Sequence, residues 1–149
     1  MKKTIYFDMD GTLAALFFVK DFSKRLDNGD MTAYTDAKTL FNPIEMRGLI
    51  ESLKKSYDIG IISYADNEYL HEAAIAKIKW LNKNFPYADA NKIHIVTRET
   101  PKESYYADGD ILVDDAKANR QAWEKRGGKT IDAYYKRKAM IKGLKDLIA

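Results

Sequence analysis

Short, almost continuously apolar segments recur along the chain, and longer amphipathic segments separate them. The short segments are rich in Ile, Val and aromatic residues, and each is too short for a helix. Runs of this kind are typical of parallel strands that helices cover on both faces. They predict strands at Thr4–Phe7, Ile59–Ile62, Ile93–Val96, Ile111–Val113 and Thr130–Ile131.

The segments between these strands repeat their apolar residues at helical spacing. Asn42 followed by Pro43 is typical of a helix start, because Asn caps the first turn and Pro fits the first helical position. A later predicted helix begins near Ala116 and ends at Gly127 and Gly128. The expected core-facing residues of the helix before Pro86 are Leu70, Ala74, Ile78, Leu81 and Phe85, and those of the last helix are Met140, Ile141, Leu144, Leu147 and Ile148.

Strands that alternate with helices predict an open α/β sheet with right-handed crossovers. The 149 residues are expected to form one domain over residues 1–149. Residues 14–42 interrupt the alternation, because they contain an apolar patch and an Asn-Gly turn between two short helical stretches. This insertion follows the first strand. We therefore expect a small helical cap over the carboxyl end of the sheet, where ligands bind in such folds.

The composition limits the classes of protein to consider. A content of 46% apolar and 32% charged residues excludes a disordered chain. The longest apolar run, Leu13 to Val19, is far shorter than the ~20 residues that span a bilayer. The absence of cysteine and the presence of only two histidines exclude a thiolate or three-histidine metal site. We expect a cytoplasmic protein, and a net charge of +3 is too small to indicate nucleic acid as a partner.

Polar side chains lie at the ends of the predicted strands, at the edge where ligands bind. Each of them alone is also compatible with a turn, a helix cap or a solvated side chain. Together they indicate an anion site with a cation, because four carboxylates on one rim raise one another's pKa and Mg²⁺ prefers oxygen ligands. A hydroxyl and an ammonium are donors that suit a phosphoryl group. These residues are Asp8, Asp10, Ser63, Lys102, Asp114 and Asp115.

The order of these residues matches a known signature. Asp-Met-Asp-Gly-Thr at positions 8–12 follows the first strand, Ser63 follows the second, Lys102 precedes the fourth, and Asp-Asp at 114–115 follows it. This order resembles the four motifs of the haloacid dehalogenase-like (HAD) superfamily of phosphotransferases over about residues 3–132. The sequences at positions 7–14, 111–119 and 123–128 look most like the 5'(3')-deoxyribonucleotidase group.

The resemblance implies a HAD-type Rossmann-like sheet and a Mg²⁺-dependent phosphomonoesterase. It makes Asp8 the nucleophile, which forms an aspartyl-phosphate, and Asp10 the general acid and base. It also implies that Mg²⁺ is held by the Asp8 side chain, the Asp10 backbone carbonyl and Asp114, with Asp115 as a ligand or a neighbour of one. The implied phosphate-binding residues are Gly11, Thr12, Ser63, Tyr64 and Lys102.

The substrate stays open at this level. The resemblance favours a nucleoside monophosphate, and a sugar phosphate or another small phosphorylated metabolite is the main alternative. The basic C-terminal helix would also suit a nucleic-acid 3'-phosphate end. A non-catalytic module that binds a phosphorylated ligand is an alternative of another class, and the apolar cap is compatible with a homodimer. The cap aromatics that could stack on a base, or instead pack the cap onto the core, are Phe17, Phe18, Phe22 and Tyr34.

Overall fold

A single parallel sheet runs through the molecule, which a computed structural model describes over residues 1–134 and 137–148. All neighbouring strands pair in parallel, in the order β3-β2-β1-β4-β5. The central position of β1, between β2 and β4, brings the carboxyl ends of these three strands together. The predicted strands and the α/β class are confirmed. The strands are β1 (Lys3–Phe7), β2 (Tyr57–Tyr64), β3 (Ile93–Val96), β4 (Ile111–Asp114) and β5 (Lys129–Asp132).

Helices connect the strands and cover both faces of the sheet. The Asn42 side chain accepts hydrogen bonds from the backbone N–H groups of Ile44 and Glu45, which confirms the predicted cap. No helix in the described part of the chain is long and apolar enough to cross a membrane. The helices are α1 (Phe22–Asp27), α2 (Thr32–Thr35), α3 (Pro43–Leu53), α4 (Leu70–Asn84), α5 (Lys117–Lys125) and α6 (Arg137–Asp146), and short 3-10 turns lie at Leu16–Phe18, Ala90–Lys92 and Lys102–Tyr105.

Two apolar clusters lie on opposite faces of the sheet, because successive strand residues point to opposite sides. Ile5 and Phe7 of β1 belong to the larger cluster, to which α3, α4 and α6 contribute. Tyr6 belongs to the smaller cluster, in which Trp123 packs α5 against the sheet. Burial on both faces explains why the strands are almost continuously apolar in sequence.

The predicted buried face of the helix before Pro86 is confirmed at Leu81 and Phe85 and is wrong at Ile78. Ile78 was expected in the core but is 40% exposed. Hydrophobic periodicity assigns every lysine to solvent, but Lys77 lies on the buried face of α4. The periodicity therefore selects the neighbouring Ile78 in its place. The buried residues of α4 are Ala73, Ala76, Lys77, Trp80 and Leu81. At the end of the chain Ile148, also expected in the core, is 46% exposed.

The segment 14–42 contains a 3-10 turn, α1 and α2, with a glycine turn between the two helices. It rests mainly on α4, where Leu16 and Tyr34 pack against Ala73 and Ala76. Phe17 and Phe18 point outward and are 50% and 75% exposed. The segment therefore packs on a helix beside the sheet edge and presents two aromatic side chains to solvent.

Candidate functional site

A cluster of carboxylates lies at the adjacent carboxyl ends of β1 and β4. The backbone N–H of Asp8 donates a 2.8 Å hydrogen bond to the carbonyl of Val113, and this bond joins the two strand ends. Side-chain oxygens of Asp8, Asp114 and Asp115 all lie within 4.8 Å of one another. Three oxygen donors at this spacing could hold a metal ion. The Asp10 side chain, in contrast, is directed to a lysine on α4.

Lys102 lies between two of these carboxylates. Its Nζ donates to Asp8 Oδ1 at 2.6 Å and to Asp114 Oδ2 at 2.8 Å, and the side chain is buried. Burial alone would lower the pKa of Lys102, but the two adjacent carboxylates outweigh it and raise the pKa above its usual value. Lys102 is therefore an ammonium that contacts the predicted nucleophile.

Tyr64 supports this lysine. Its hydroxyl oxygen accepts a 2.9 Å hydrogen bond from the backbone N–H of Lys102, and its ring lies 5.1 Å from the Lys102 Nζ. The Arg98 guanidinium also lies over the Tyr64 ring, 4.8 Å from its centroid. These contacts hold the 3-10 turn that carries Lys102. The predicted phosphate contact of Tyr64 stays a prediction.

A second buried lysine, Lys77, lies beside these carboxylates, and the sequence analysis did not identify it. The Nζ of Lys77 on α4 donates to Asp10 Oδ2, to Ser63 Oγ and to the carbonyl of Tyr64, each at 2.7 Å. The balance of charge among the predicted site residues could have indicated this lysine. One lysine and one divalent cation balance only three of the four predicted carboxylates, so another buried cation was to be expected.

Gly11 and Thr12 shape the loop that follows β1. The Thr12 hydroxyl lies 3.2 Å from Asp8 Oδ2 and accepts a 3.1 Å hydrogen bond from the Asp115 backbone N–H. Gly11 has φ of +83°, and a Cβ there would clash with the Asp115 carboxylate and the Phe17 ring. The N–H groups of Gly11 and Thr12 donate within the loop itself. Thr12 therefore links Asp8 to Asp115, and Gly11 leaves the space that the Asp115 carboxylate occupies. The predicted phosphate contacts of Gly11 and Thr12 stay predictions.

Burial and mutual repulsion shift the acids of the site towards their neutral forms. Burial, with the neighbouring carboxylate of Asp8, raises the pKa of Asp115 to about 8. Burial and Asp8 also raise the pKa of Asp114. Burial raises the pKa of Asp10 as well, despite the opposing charge of Lys77. Two lysines balance two of the four carboxylates, so a divalent cation would balance the other two.

A cavity of about 360 Å³ opens beside the carboxylate cluster. Its wall includes Asp115 together with Phe17 and Phe18 of the insertion and Arg137 of α6. The other two cap aromatics lie elsewhere, because Phe22 packs on Phe17 and Tyr34 is buried. The structure therefore separates the four aromatic candidates into two that line the cavity and two that pack the insertion.

Comparison with solved structures identifies the architecture. A HAD family enzyme from Bacteroides thetaiotaomicron, in complex with magnesium and inorganic phosphate, matches with a TM-score of 0.51 and 13% sequence identity. The match covers 89% of this chain and 94% of that chain. This chain has the HAD fold. The resemblance read from the sequence motifs is thus confirmed at the level of the fold.

A second structure with the HAD fold covers still more of the chain. The HAD domain of effector protein Lem4 from Legionella pneumophila aligns with 99% of this chain and 97% of that chain, at 15% identity and a TM-score of 0.44. Neither a scan of protein-family models nor a sequence search of curated proteins gives a match. The HAD fold is shared at very low sequence identity, so the activity must be argued from the site.

Proposed function

We propose that this chain is a Mg²⁺-dependent phosphomonoesterase that forms an aspartyl-phosphate on Asp8. The observation that carries the proposal is the set of three carboxylates within 4.8 Å of one another, with the buried ammonium of Lys102 beside them. The Bacteroides HAD enzyme, which shares the fold, is in complex with magnesium and inorganic phosphate. That complex supports the same class of ligands here.

The donor set fits Mg²⁺, which prefers carboxylate oxygens and keeps several waters. Asp8, Asp114 and Asp115 would hold the ion, with the Asp10 carbonyl as a further ligand. When bound, Mg²⁺ would polarise the phosphoryl oxygens and screen their charge from Asp8. The raised pKa of Asp115 supports this assignment, because a cation supplies the positive charge that lets a crowded carboxylate ionise.

The residues of the chain supply the remaining chemistry. A carboxylate oxygen of Asp8 attacks phosphorus while the bond from phosphorus to the leaving oxygen breaks, and Asp10 gives its proton to that oxygen. Asp10 then takes a proton from a water that attacks the phosphorus, and the bond from phosphorus to Asp8 breaks. Lys102 and Ser63 donate to the phosphoryl oxygens as their charge builds up. Phosphate and an alcohol are the products.

We further propose that a nucleoside monophosphate is the substrate. The cavity beside Asp115 presents the exposed rings of Phe17, Phe18 and Tyr134, with Arg137 nearby. Aromatic rings offer stacking surface to a base, and such a contact is worth roughly 1–3 kcal/mol in single-strand binding. A sugar phosphate would leave this surface uncovered. The aromatic wall is the observation that favours a nucleotide over a sugar phosphate.

The test is phosphate release from deoxynucleoside and ribonucleoside monophosphates, sugar phosphates and a 3'-phosphorylated oligonucleotide, with Mg²⁺ or with EDTA. We expect Mg²⁺-dependent release that Asp8→Asn abolishes and Asp108→Asn, an exposed acid away from the cluster, leaves unchanged. Phe17→Ala is expected to raise KM for nucleotides and to leave KM for sugar phosphates unchanged.

The outcomes separate the alternatives. Preference for sugar phosphates would refute the nucleotide assignment and keep the phosphomonoesterase. Release from the oligonucleotide alone, with steep dependence on salt, would indicate a nucleic-acid end, because phosphate contacts release counterions. Binding of Mg²⁺ and phosphate by a folded protein without turnover of any substrate would refute the enzyme and indicate a binding module.

A further inference from the structure

Lys77 is a buried ammonium on a helix face that is otherwise apolar. It lies among the buried residues Ala73, Ala76, Trp80 and Leu81 of α4 and has no exposed surface. Burying an ammonium is costly unless its hydrogen atoms are all paired. Its three donors match three acceptors at 2.7 Å each, so the ammonium is held in one orientation.

The acceptors of the two buried lysines do not overlap. Lys102 donates to Asp8 and Asp114, whereas Lys77 donates to Asp10, Ser63 and the Tyr64 carbonyl. Lys102 therefore contacts the nucleophile and the metal cluster. Lys77 contacts Asp10, the proposed acid and base, and Ser63, the proposed hydrogen-bond donor to the phosphoryl group.

The contact with Asp10 distinguishes its two carboxylate oxygens. Lys77 occupies Oδ2 at 2.7 Å, while Oδ1 accepts no hydrogen bond within the described protein. An ammonium can only donate, and the carbonyl oxygen of a neutral carboxyl accepts better than its hydroxyl oxygen, so the contact at Oδ2 favours the proton of a neutral Asp10 on Oδ1. The lysine thereby selects the oxygen from which a proton is delivered.

The contact with Ser63 has a similar effect on its hydroxyl. A hydroxyl has one proton to donate and lone pairs with which to accept. Because Lys77 occupies a lone pair of the Ser63 oxygen at 2.7 Å, the hydroxyl proton is directed away from the lysine. Ser63 is therefore oriented as a donor, as a phosphoryl oxygen requires.

The insertion shields this lysine. The ring of Tyr34 on α2 lies 4.6 Å from the Lys77 Nζ, in cation–π contact, and Tyr34 is itself buried. An aromatic ring on one side and three acceptors on the other hold the ammonium away from water. The insertion therefore contributes to the burial of Lys77.

We propose that Lys77 is a positioning residue that orients Asp10 and Ser63 for phosphoryl transfer. This inference rests on the proposed function. Lys77 itself does not touch the reacting atoms. It fixes which oxygen of Asp10 delivers the proton and which way the Ser63 hydroxyl donates.

The test compares two leaving groups in Lys77→Met. Thymidine 5'-monophosphate has an alkoxide leaving group that needs a proton, whereas p-nitrophenyl phosphate has one that departs without it. We expect kcat/KM, which reports transfer to Asp8 and not the later hydrolysis that both substrates share, to fall about 10²–10³-fold for the nucleotide and about tenfold or less for the aryl ester. Lys77→Gln, whose amide can still donate, is expected to recover part of the nucleotide rate. The matched control is Lys79→Met, which removes an exposed lysine of the same helix.

Equal losses of kcat/KM on both substrates would overturn the inference, since a merely structural role does not distinguish leaving groups. Unchanged kcat/KM in Lys77→Met would also overturn it. Should Lys77→Met fail to fold, as judged by circular dichroism, Lys77→Gln decides by the same comparison. Failure of both variants to fold would assign Lys77 to stability alone and overturn its positioning role. Absence of turnover by the wild-type protein would instead refute the proposed function, and the inference with it.

Discussion

Binding of Mg²⁺ to the carboxylate cluster is expected to release a proton from Asp115. Burial and the adjacent carboxylate of Asp8 raise the pKa of Asp115 to about 8, so the carboxyl is mostly neutral at pH 7 in the metal-free protein. The cation binds the ionised form, so the proton has to leave when Mg²⁺ binds. The affinity for Mg²⁺ should therefore fall as the pH is lowered through 8.

The size of the effect follows from this pKa. A carboxyl with a pKa of about 8 is about 90% protonated at pH 7 and about 10% protonated at pH 9. Binding should therefore release about 0.9 proton per Mg²⁺ at pH 7 and about 0.1 at pH 9. The Kd for Mg²⁺ should be about tenfold weaker at pH 7 than at pH 9.

Isothermal titration calorimetry in two buffers of different ionisation enthalpy measures the released protons directly. Asp115→Asn removes the titrating carboxyl, so it should bind Mg²⁺ more weakly and release almost no proton at pH 7. Asp108→Asn removes an exposed carboxyl elsewhere and should behave as the wild type. Because folded Asp115 titrates above its unfolded value, stability of the metal-free protein should fall as pH rises from about 4 to about 8.

The stabilisation by Mg²⁺ provides a second readout. The rise in Tm at a fixed Mg²⁺ concentration should be larger at pH 8.5 than at pH 6.5, since more of the protein binds the ion at high pH. Mg²⁺ binding at pH 7 without proton release, or with equal release from Asp115→Asn, would refute the reasoning. So would an affinity independent of pH between 7 and 9.

Three further substitutions test the structure. Lys102→Met leaves Asp8 without its ammonium partner, so it should lower the free energy of unfolding in urea by about 3–5 kcal/mol without Mg²⁺ and by less at saturating Mg²⁺. An equal loss of unfolding free energy in both conditions would contradict this. Gly11→Ala should weaken Mg²⁺ binding in calorimetry because its Cβ clashes with the carboxylate of Asp115, a proposed ligand, whereas Gly48→Ala, where space is open, should bind normally. Trp123→Ala should cost about 3–5 kcal/mol by urea unfolding, since its fully buried ring packs α5 against the sheet. An unfolding free energy equal to that of the wild type would contradict this packing role.

The strands and their polar ends could be predicted because their signals are local. A buried parallel strand is a short apolar run, and its first polar residue lies near the carboxyl edge of the sheet. The pattern therefore predicts Asp8, Ser63 and Asp114 at this edge. The prediction for α4 is wrong at Ile78 for an equally local reason, because periodicity assigns a lysine such as Lys77 to solvent.

The orientation of the cap aromatics lay beyond local patterns. Phe17 and Tyr34 have the same apolar character in sequence, yet one is half exposed beside the carboxylates and the other is buried on α4. Which ring turns inward depends on the surface that α4 presents to the insertion. That surface is formed by residues distant in sequence, so no pattern within positions 14–42 encodes it.

The sequence by itself determined the fold class, the strand order along the chain and the acids that gather at one edge. Only the tertiary structure decided how those acids are paired. Lys102 is 94 residues from Asp8, and Lys77 is 67 residues from Asp10. A buried ammonium is stable only where folding brings enough acceptors around it, and this condition depends on distances in space rather than along the chain. Pairing of buried charge is therefore a property of the assembled sheet and helices.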